Sequence, residues 1–229
     1  MKNYFWLPVV MLFIISCGSN DKQNKKDAVT KNDTATTSQQ TEASKNNFTI
    51  LSFDKNNPAF KDSIKGKLID GFSWKDADGE STVVFSQTEV QMSKSGEQSQ
   101  AIFANCYLKD GSYWKKRWSV QDRVDACPVD AICEFFPASF TVTDEDKNNI
   151  GEITFLYKLA CKGDVSPDSK KLIMYEGGSK YAIRGSTILQ FETGKEGGDK
   201  KVDASFNKAA KALLDYANAQ WDKFGLVKF

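Results

Sequence analysis

What most constrains this chain is the rhythm of its apolar runs beyond residue 46. Short stretches rich in Val, Ile, Phe, Tyr and Trp are broken about every 8–14 residues by Gly, Asn, Asp and Ser. Strands are expected over 48–53, 64–74, 81–92, 100–108, 113–120, 139–143, 152–160, 171–176 and 180–184. Turn chemistry sits between them at Asp76-Ala77-Asp78-Gly79, Ser95-Gly96, Asp110-Gly111 and Gly177-Gly178. Residues of this type, spaced like this, close hairpins between antiparallel neighbours. The pattern predicts a mainly β fold, an antiparallel meander of the sandwich or open-barrel kind. An irregular loop is expected over 121–137, and no repeat is regular enough for a propeller or solenoid. One segment breaks the rhythm. Over 203–224, Phe206, Ala209, Ala210, Leu213, Leu214, Ala217 and Trp221 recur at spacings of three and four. That period predicts a C-terminal amphipathic helix packed on the sheet, with Asp203 or Ser205 as N-cap and Gly225 just past its end. Residues 47–229 are thus read as a single β-rich domain carrying one helix.

Composition narrows the chemistry. Hydrophobic residues make up 40% of the 229, with sixteen Phe and five Trp, enough to build a core. Lys and Arg number 31 against 30 Asp and Glu, and removal of Lys2 with a leader would level the two. A neutral chain has no electrostatic case for binding nucleic acid. There is no histidine, which excludes Ser-His-Asp and Cys-His catalysis and every His-ligated zinc site. No GxSxG, P-loop or GxGxxG motif is present.

At the N-terminus, Lys2 precedes a nearly continuous apolar run over 4–15 that ends in Ile14-Ile15-Ser16-Cys17. About twelve apolar residues are too few to span a bilayer core, which takes roughly 20. The run reads as an export signal over 1–16. Its last four residues resemble the lipobox of bacterial lipoproteins, and the resemblance implies diacylglycerol attachment at Cys17, cleavage before it and N-acylation. Two or three acyl chains anchor stably where one holds only marginally. Residues 18–46 carry only Ala28, Val29, Ala35 and Ala43 as apolar members, so 17–46 is expected to be a lipidated cysteine followed by a disordered tether. Gly18 follows the cysteine where an inner-membrane retention signal would place Asp. An outer-membrane, lipid-anchored location is expected, with either leaflet open.

Apart from Cys17, the cysteines are Cys106, Cys127, Cys133 and Cys161. An even number in an exported domain points to disulfides. Four cysteines allow three pairings; the one favoured joins Cys127 with Cys161 and Cys106 with Cys133, tying the 121–137 loop to the sheet at two points.

The most specific chemistry lies in Asp144-Glu145-Asp146-Lys147-Asn148-Asn149-Ile150-Gly151-Glu152. Oxygen side chains at Asp144, Asp146, Asn148 and Glu152, with the Ile150 position between, can point several oxygens inward, as calcium requires. The stretch resembles the D-x-D-x-D-G-x-x-D/E loop of integrin-like and dockerin-like modules. Asn148 stands for an acid, and Asn149 for the turn glycine, a replacement that tolerates the left-handed conformation. The competing reading is a solvated acidic turn. Residues 76–80 form a shorter relative, read as a plain turn, and Asp164 either completes a site or caps its own turn.

Three longer stretches, residues 66–80 (GKLIDGFSWKDADGE), 142–167 (VTDEDKNNIGEITFLYKLACKGDVSP) and 171–185 (KLIMYEGGSKYAIRG), resemble flavobacterial, Bacteroidota-type lipoproteins labelled as surface polysaccharide biosynthesis proteins. The resemblance implies an envelope setting and brings no catalytic residues. The leading expectation is a non-enzymatic outer-membrane lipoprotein that binds surface polysaccharide or supports its assembly. Two alternatives stand beside it: a calcium-stabilised protein-binding module of an envelope complex, and a carbohydrate-active enzyme using paired carboxylates. Trp74, Trp114 and Trp118 could stack sugars, with Lys115-Lys116-Arg117 as contacts for an acidic glycan; the competing and favoured reading has the Trp residues filling the core and the basic run as a solvated hairpin. A row of exposed Trp would favour the first reading, calcium-dependent stability the second, and a cleft with two facing carboxylates the third.

Overall fold

Each strong turn signal closes a hairpin. In the computed structural model, which describes residues 48–229, the strands are numbered in chain order. The first sheet holds β1 (Thr49–Leu51), β2 (Lys67–Asp76), β3 (Gly79–Gln87), β4 (Gln91–Met92), β5 (Gln98–Asp110) and β6 (Tyr113–Cys127). They lie in the order β1-β2-β3-β5, with β4 and β6 also paired to β5. The second holds β7 (Asp130–Phe135), β8 (Thr141–Thr143), β9 (Glu152–Lys162), β10 (Ser169–Glu176), β11 (Ser179–Ser186) and β14 (Lys200–Val202), in the order β14-β11-β10-β9-β7 with β8 also on β9. A small third sheet joins β12 (Ile188–Phe191), β13 (Gly194–Gly197) and β15 (Leu226–Lys228). The architecture is mainly β and antiparallel without a closed barrel; β12 with β15 is a parallel pair. All described residues belong to one compact unit, Ser44–Phe229. The expected leader, Cys17 and the 17–46 tether lie outside the described residues.

Period-two alternation sends Val83 and Phe85 of β3, Ile102 and Ala104 of β5, and Trp118 and Val120 of β6 into one core with Phe155 and Tyr157 of β9 and Ile173 and Tyr175 of β10. Phe85 lies at its centre, stacked on Phe140 at 4.1 Å and edge-on to Phe155 at 5.1 Å. The opposite faces of β9, β10 and β11 present Leu156, Leu172, Met174 and Ile183 to Phe206, Leu213, Ala217 and Trp221. The second sheet is therefore covered on both faces, which is why β9 and β10 read as near-continuous apolar runs.

The C-terminal helix is shorter than its stripe suggested. A 3-10 turn over Ala204–Lys208 begins where Asp203 accepts the Ser205 N–H at 3.0 Å; Ala209 and Ala210 are then extended, and α1 spans Lys211–Lys223. Phe206 is anchored on Tyr181 at 5.1 Å, ahead of the break. Among the described residues no helix is long and apolar enough to cross a membrane.

Lys170 closes α1 from beneath. Only 2% exposed, it donates from Nζ to the carbonyls of Trp221 (3.2 Å) and Phe224 (2.8 Å) and lies 4.0 Å from the Trp221 ring centroid. A cation suits the carbonyl end of a helix, yet burial lowers the Lys170 pKa to about 8. The unfolded lysine holds its proton to its ordinary 10.5. Between those values the unfolded chain binds more protons, so stability rises with pH. Relative to Lys170→Met, the native protein should gain about 2 kcal/mol between pH 8 and 10.5, less than the full shift because of screening. Urea denaturation at both pH values checks this; parallel pH profiles would refute it.

The expected loop at 121–137 is a correction. β6 runs on to Cys127, and β7 occupies Asp130–Phe135. Charged Asp122, Arg123 and Asp125 hide the end of β6, whose pairing continues to the Gln98↔Cys127 position. Strand β7 shows only the short alternation Ala131, Cys133, Phe135. Its outer amides bond to side chains of the first sheet: Ala131 N–H donates to Gln98 Oε1 (3.1 Å) and Cys133 N–H to Gln100 Oε1 (2.7 Å).

A disulfide joins Cys127 at the end of β6 to Cys161 near the end of β9. The expected Cys106–Cys133 bridge is absent: both are free and buried. The Cys133 thiol meets the Asp122 carbonyl at 3.4 Å, beside the Ile102↔Asp122 pair. Cys106 sits four residues further along β5, about 13 Å at the strand rise. A bridge needs Cα atoms within about 7 Å. Desolvation pushes both thiols up to about 12, so they are inert core groups.

Candidate metal centre

The acidic loop leaves β8, turns and re-enters as β9. Thr143↔Glu152 is the last rung of the β8–β9 ladder, so Asp144 to Gly151 must reverse the chain in a tight space. Lys147 and Asn149 take left-handed conformations, φ 61° and 64°. Asn149 thus supplies the geometry expected of a glycine at that position. Its N–H donates to both Asp144 carboxylate oxygens at 3.3 Å.

Carboxylate oxygens of Asp144, Asp146 and Glu152 lie within 4.8 Å of one another. Two oxygens that each sit about 2.4 Å from one ion are at most about 4.8 Å apart, so this spacing suits a shared cation. Glu152 is the decisive member. Its residue exposure is 0%, yet its two oxygens fare differently. Oε2 accepts from the Glu145 N–H (2.9 Å) and the Thr143 hydroxyl (3.1 Å), whereas Oε1 is buried with no hydrogen-bond partner. Desolvation, reinforced by Asp146 and Asp144 and opposed by the two hydrogen bonds, raises its pKa to about 7. A buried carboxylate oxygen without a donor is costly unless a proton or a cation meets it. The cluster can hold a metal ion, and its all-oxygen donors suit a hard one.

The other two expected members behave differently. Asn148 spends its carboxamide inside the loop: Oδ1 accepts the Ile150 N–H (2.7 Å), while Nδ2 donates to Asp146 (3.1 Å) and Glu176 (2.6 Å). Asn148 braces the loop, and the Ile150 amide is part of that brace. Glu176 was missed from sequence: it stands opposite Glu152 through the β9–β10 pairing, whose connection over 163–168 carries no register signal.

A second structural anchor holds the loop from below. Asp76, 5% exposed at the end of β2, accepts from Trp74 Nε1 (2.8 Å), Gly151 N–H (2.9 Å) and Asp78 N–H (2.9 Å). Ala77 N–H in turn donates to the Asn149 carbonyl (2.8 Å). Gly151 has to be glycine, since a Cβ there would stand 2.7 Å from Trp74 Nε1. The 76–80 stretch is a two-residue hairpin turn, Asp76↔Gly79 being its last pair, and its first acid clamps the neighbouring loop. Asp164 accepts from its own Ser166 hydroxyl (2.8 Å) beyond the far end of β9, so it caps a turn away from this centre.

Of the three Trp residues that could stack sugars, Trp74 and Trp118 are buried and Trp114 is half-buried. Trp74 is 2% exposed, Trp118 stacks on Tyr175 at 4.0 Å, and Trp114 packs edge-on to Phe60 at 5.2 Å. In the adjoining basic run, Arg117 pairs with Asp78 and Lys116 lies over the Tyr107 ring. A cavity of about 440 Å³ contains two acids, Asp54 and Asp70, each accepting a nearby backbone N–H, from Asn56 and Gly71. No family model, curated protein or solved structure matches this chain.

Proposed function

We propose that this chain is a non-enzymatic, calcium-stabilised binding module of the cell envelope, held at the outer membrane through a lipidated Cys17. The observation that carries the calcium reading is the fully buried Glu152, whose unpartnered oxygen belongs to a cluster with Asp144 and Asp146. The envelope setting rests on the lipobox-like residues 14–17 and the resemblance to flavobacterial lipoproteins. With Trp74 and Trp118 buried and only Trp114 half-buried, an aromatic platform gives the sugar-binding reading little support. The protein-binding alternative keeps its own argument.

Calcium bound only by the folded state must stabilise it by mass action. At about 100 times the dissociation constant the gain is roughly 2.7 kcal/mol, several degrees in melting temperature. Asp144→Ala with Asp146→Ala should erase that gain; in chelator the relief of like-charge crowding is set against the loss of the Asn149 and Asn148 hydrogen bonds to these carboxylates. Calorimetric melting in millimolar calcium and in chelator decides the matter. A melting temperature indifferent to both returns the loop to a solvated acidic turn.

A further inference from the structure

Beside the core, three cations share the core-side register of β10 and β11, Lys171 half-buried and Lys180 and Arg184 exposed. Ile173 and Tyr175 mark the inner face of β10, and Lys171 lies two residues before them; Ala182 marks that of β11, with Lys180 and Arg184 two residues either side. Lys171 is opposite Arg184 in register, and Lys180 is opposite Tyr175. Among the described residues strand β6 pairs only with β5. A cavity of about 230 Å³ opens there, lined by all three cations and by Asp122 of β6.

The charges are not balanced within the cavity. Asp122 is taken by Lys171 at 2.5 Å and by the Tyr157 hydroxyl at 3.0 Å. Arg184 turns to Asp203 at 2.7 Å. Among the described residues Lys180 has no ion pair or hydrogen bond, only a distant approach to the Tyr175 ring at 5.9 Å. Partial burial, then the Arg184 and Lys171 charges, hold its pKa below the ordinary lysine value, against the opposing pull of Asp122 and Asp203. A cation crowded by like charges and lacking a partner is stabilised by an anion placed among them. The volume suits one oxyanion with a few waters and is below the range of about 300–1,000 Å³ typical of drug-sized ligands.

We propose that this cavity is an anion site, in which Lys180, Lys171 and Arg184 receive a single oxyanion group, a phosphate or the carboxylate of an acidic sugar. It is independent of the acidic loop, which lies on other residues. The test is amide chemical-shift titration of the full chain at constant ionic strength with inorganic phosphate and, separately, with glucuronate. Saturable shifts confined to residues 119–122, 171 and 180–184 are expected. Lys180→Gln, at an exposed position that leaves the melting temperature unchanged, should weaken the affinity about tenfold, as loss of one charge-assisted contact does. Lys94→Gln, in an exposed turn that does not line the cavity, should change nothing. Saturation by phosphate alone identifies a phosphate site, and saturation by glucuronate alone a sugar-carboxylate site. Saturation by both identifies a general oxyanion site, and all three outcomes support the proposal. Absence of saturable shifts with either anion, or equal affinity in Lys180→Gln, overturns it.

Discussion

Asp76→Ala should destabilise the protein by about 3–5 kcal/mol, because buried donors lose their common acceptor at once. The carboxylate takes the Trp74 indole N–H and the backbone N–H groups of Gly151 and Asp78. With it gone, the Trp74 and Gly151 donors stay inside the fold, and each unsatisfied one costs about 1–3 kcal/mol. Asp76→Asn, which keeps one acceptor oxygen, should recover part of the loss. Chemical denaturation of the two variants checks both statements, and a cost below about 1 kcal/mol for the alanine would mean that the clamp is idle. The acidic loop should also loosen, since Gly151 and the Asn149 carbonyl are its fastenings to the β2–β3 turn.

Removing the Cys127–Cys161 bridge comes next in size. It closes a sequence separation of 34 residues. Loop-closure entropy for about 35 residues corresponds to roughly 4 kcal/mol. The double variant Cys127→Ser with Cys161→Ser avoids a stray thiol and should show that loss in urea. In the native protein, mass spectrometry without reduction should find one bridge, with Cys106 and Cys133 alkylated only after denaturation. Rapid labelling of either thiol in the folded protein would contradict their burial in the core.

Which elements were legible in the sequence follows from how local their causes are. The β2–β3 turn, the Asp110-Gly111 turn between β5 and β6, and the Gly177-Gly178 turn between β10 and β11 depend on two or three residues each, and all three hairpins form there. The Phe206–Trp221 stripe announced a helix, but not the extended Ala209 and Ala210 within it. Strand β7 escaped notice because its outer amides are satisfied by Gln98 and Gln100, more than thirty residues away in sequence. The candidate metal centre was half legible. Asp144, Asp146 and Glu152 are spaced for a cation loop, whereas the spacing could not tell that Asn148 would bond inside the loop.

The sequence by itself determined what nearest neighbours dictate: antiparallel β structure from period-two alternation and turn residues, and the kind of oxygen donors gathered between β8 and β9. Only the tertiary structure decided which of those donors lacks a partner. That required the whole of Glu152 to be buried, with Thr143 and the Glu145 amide reaching one oxygen and nothing reaching the other. It also decided the cysteine pairing, since the distance between Cys106 and Cys133 is set by how two sheets stack. Lys171, Lys180 and Arg184 meet at one cavity for the same reason. Burial and convergence are properties of packed surfaces brought together from distant parts of the chain, and no local pattern of residues encodes them.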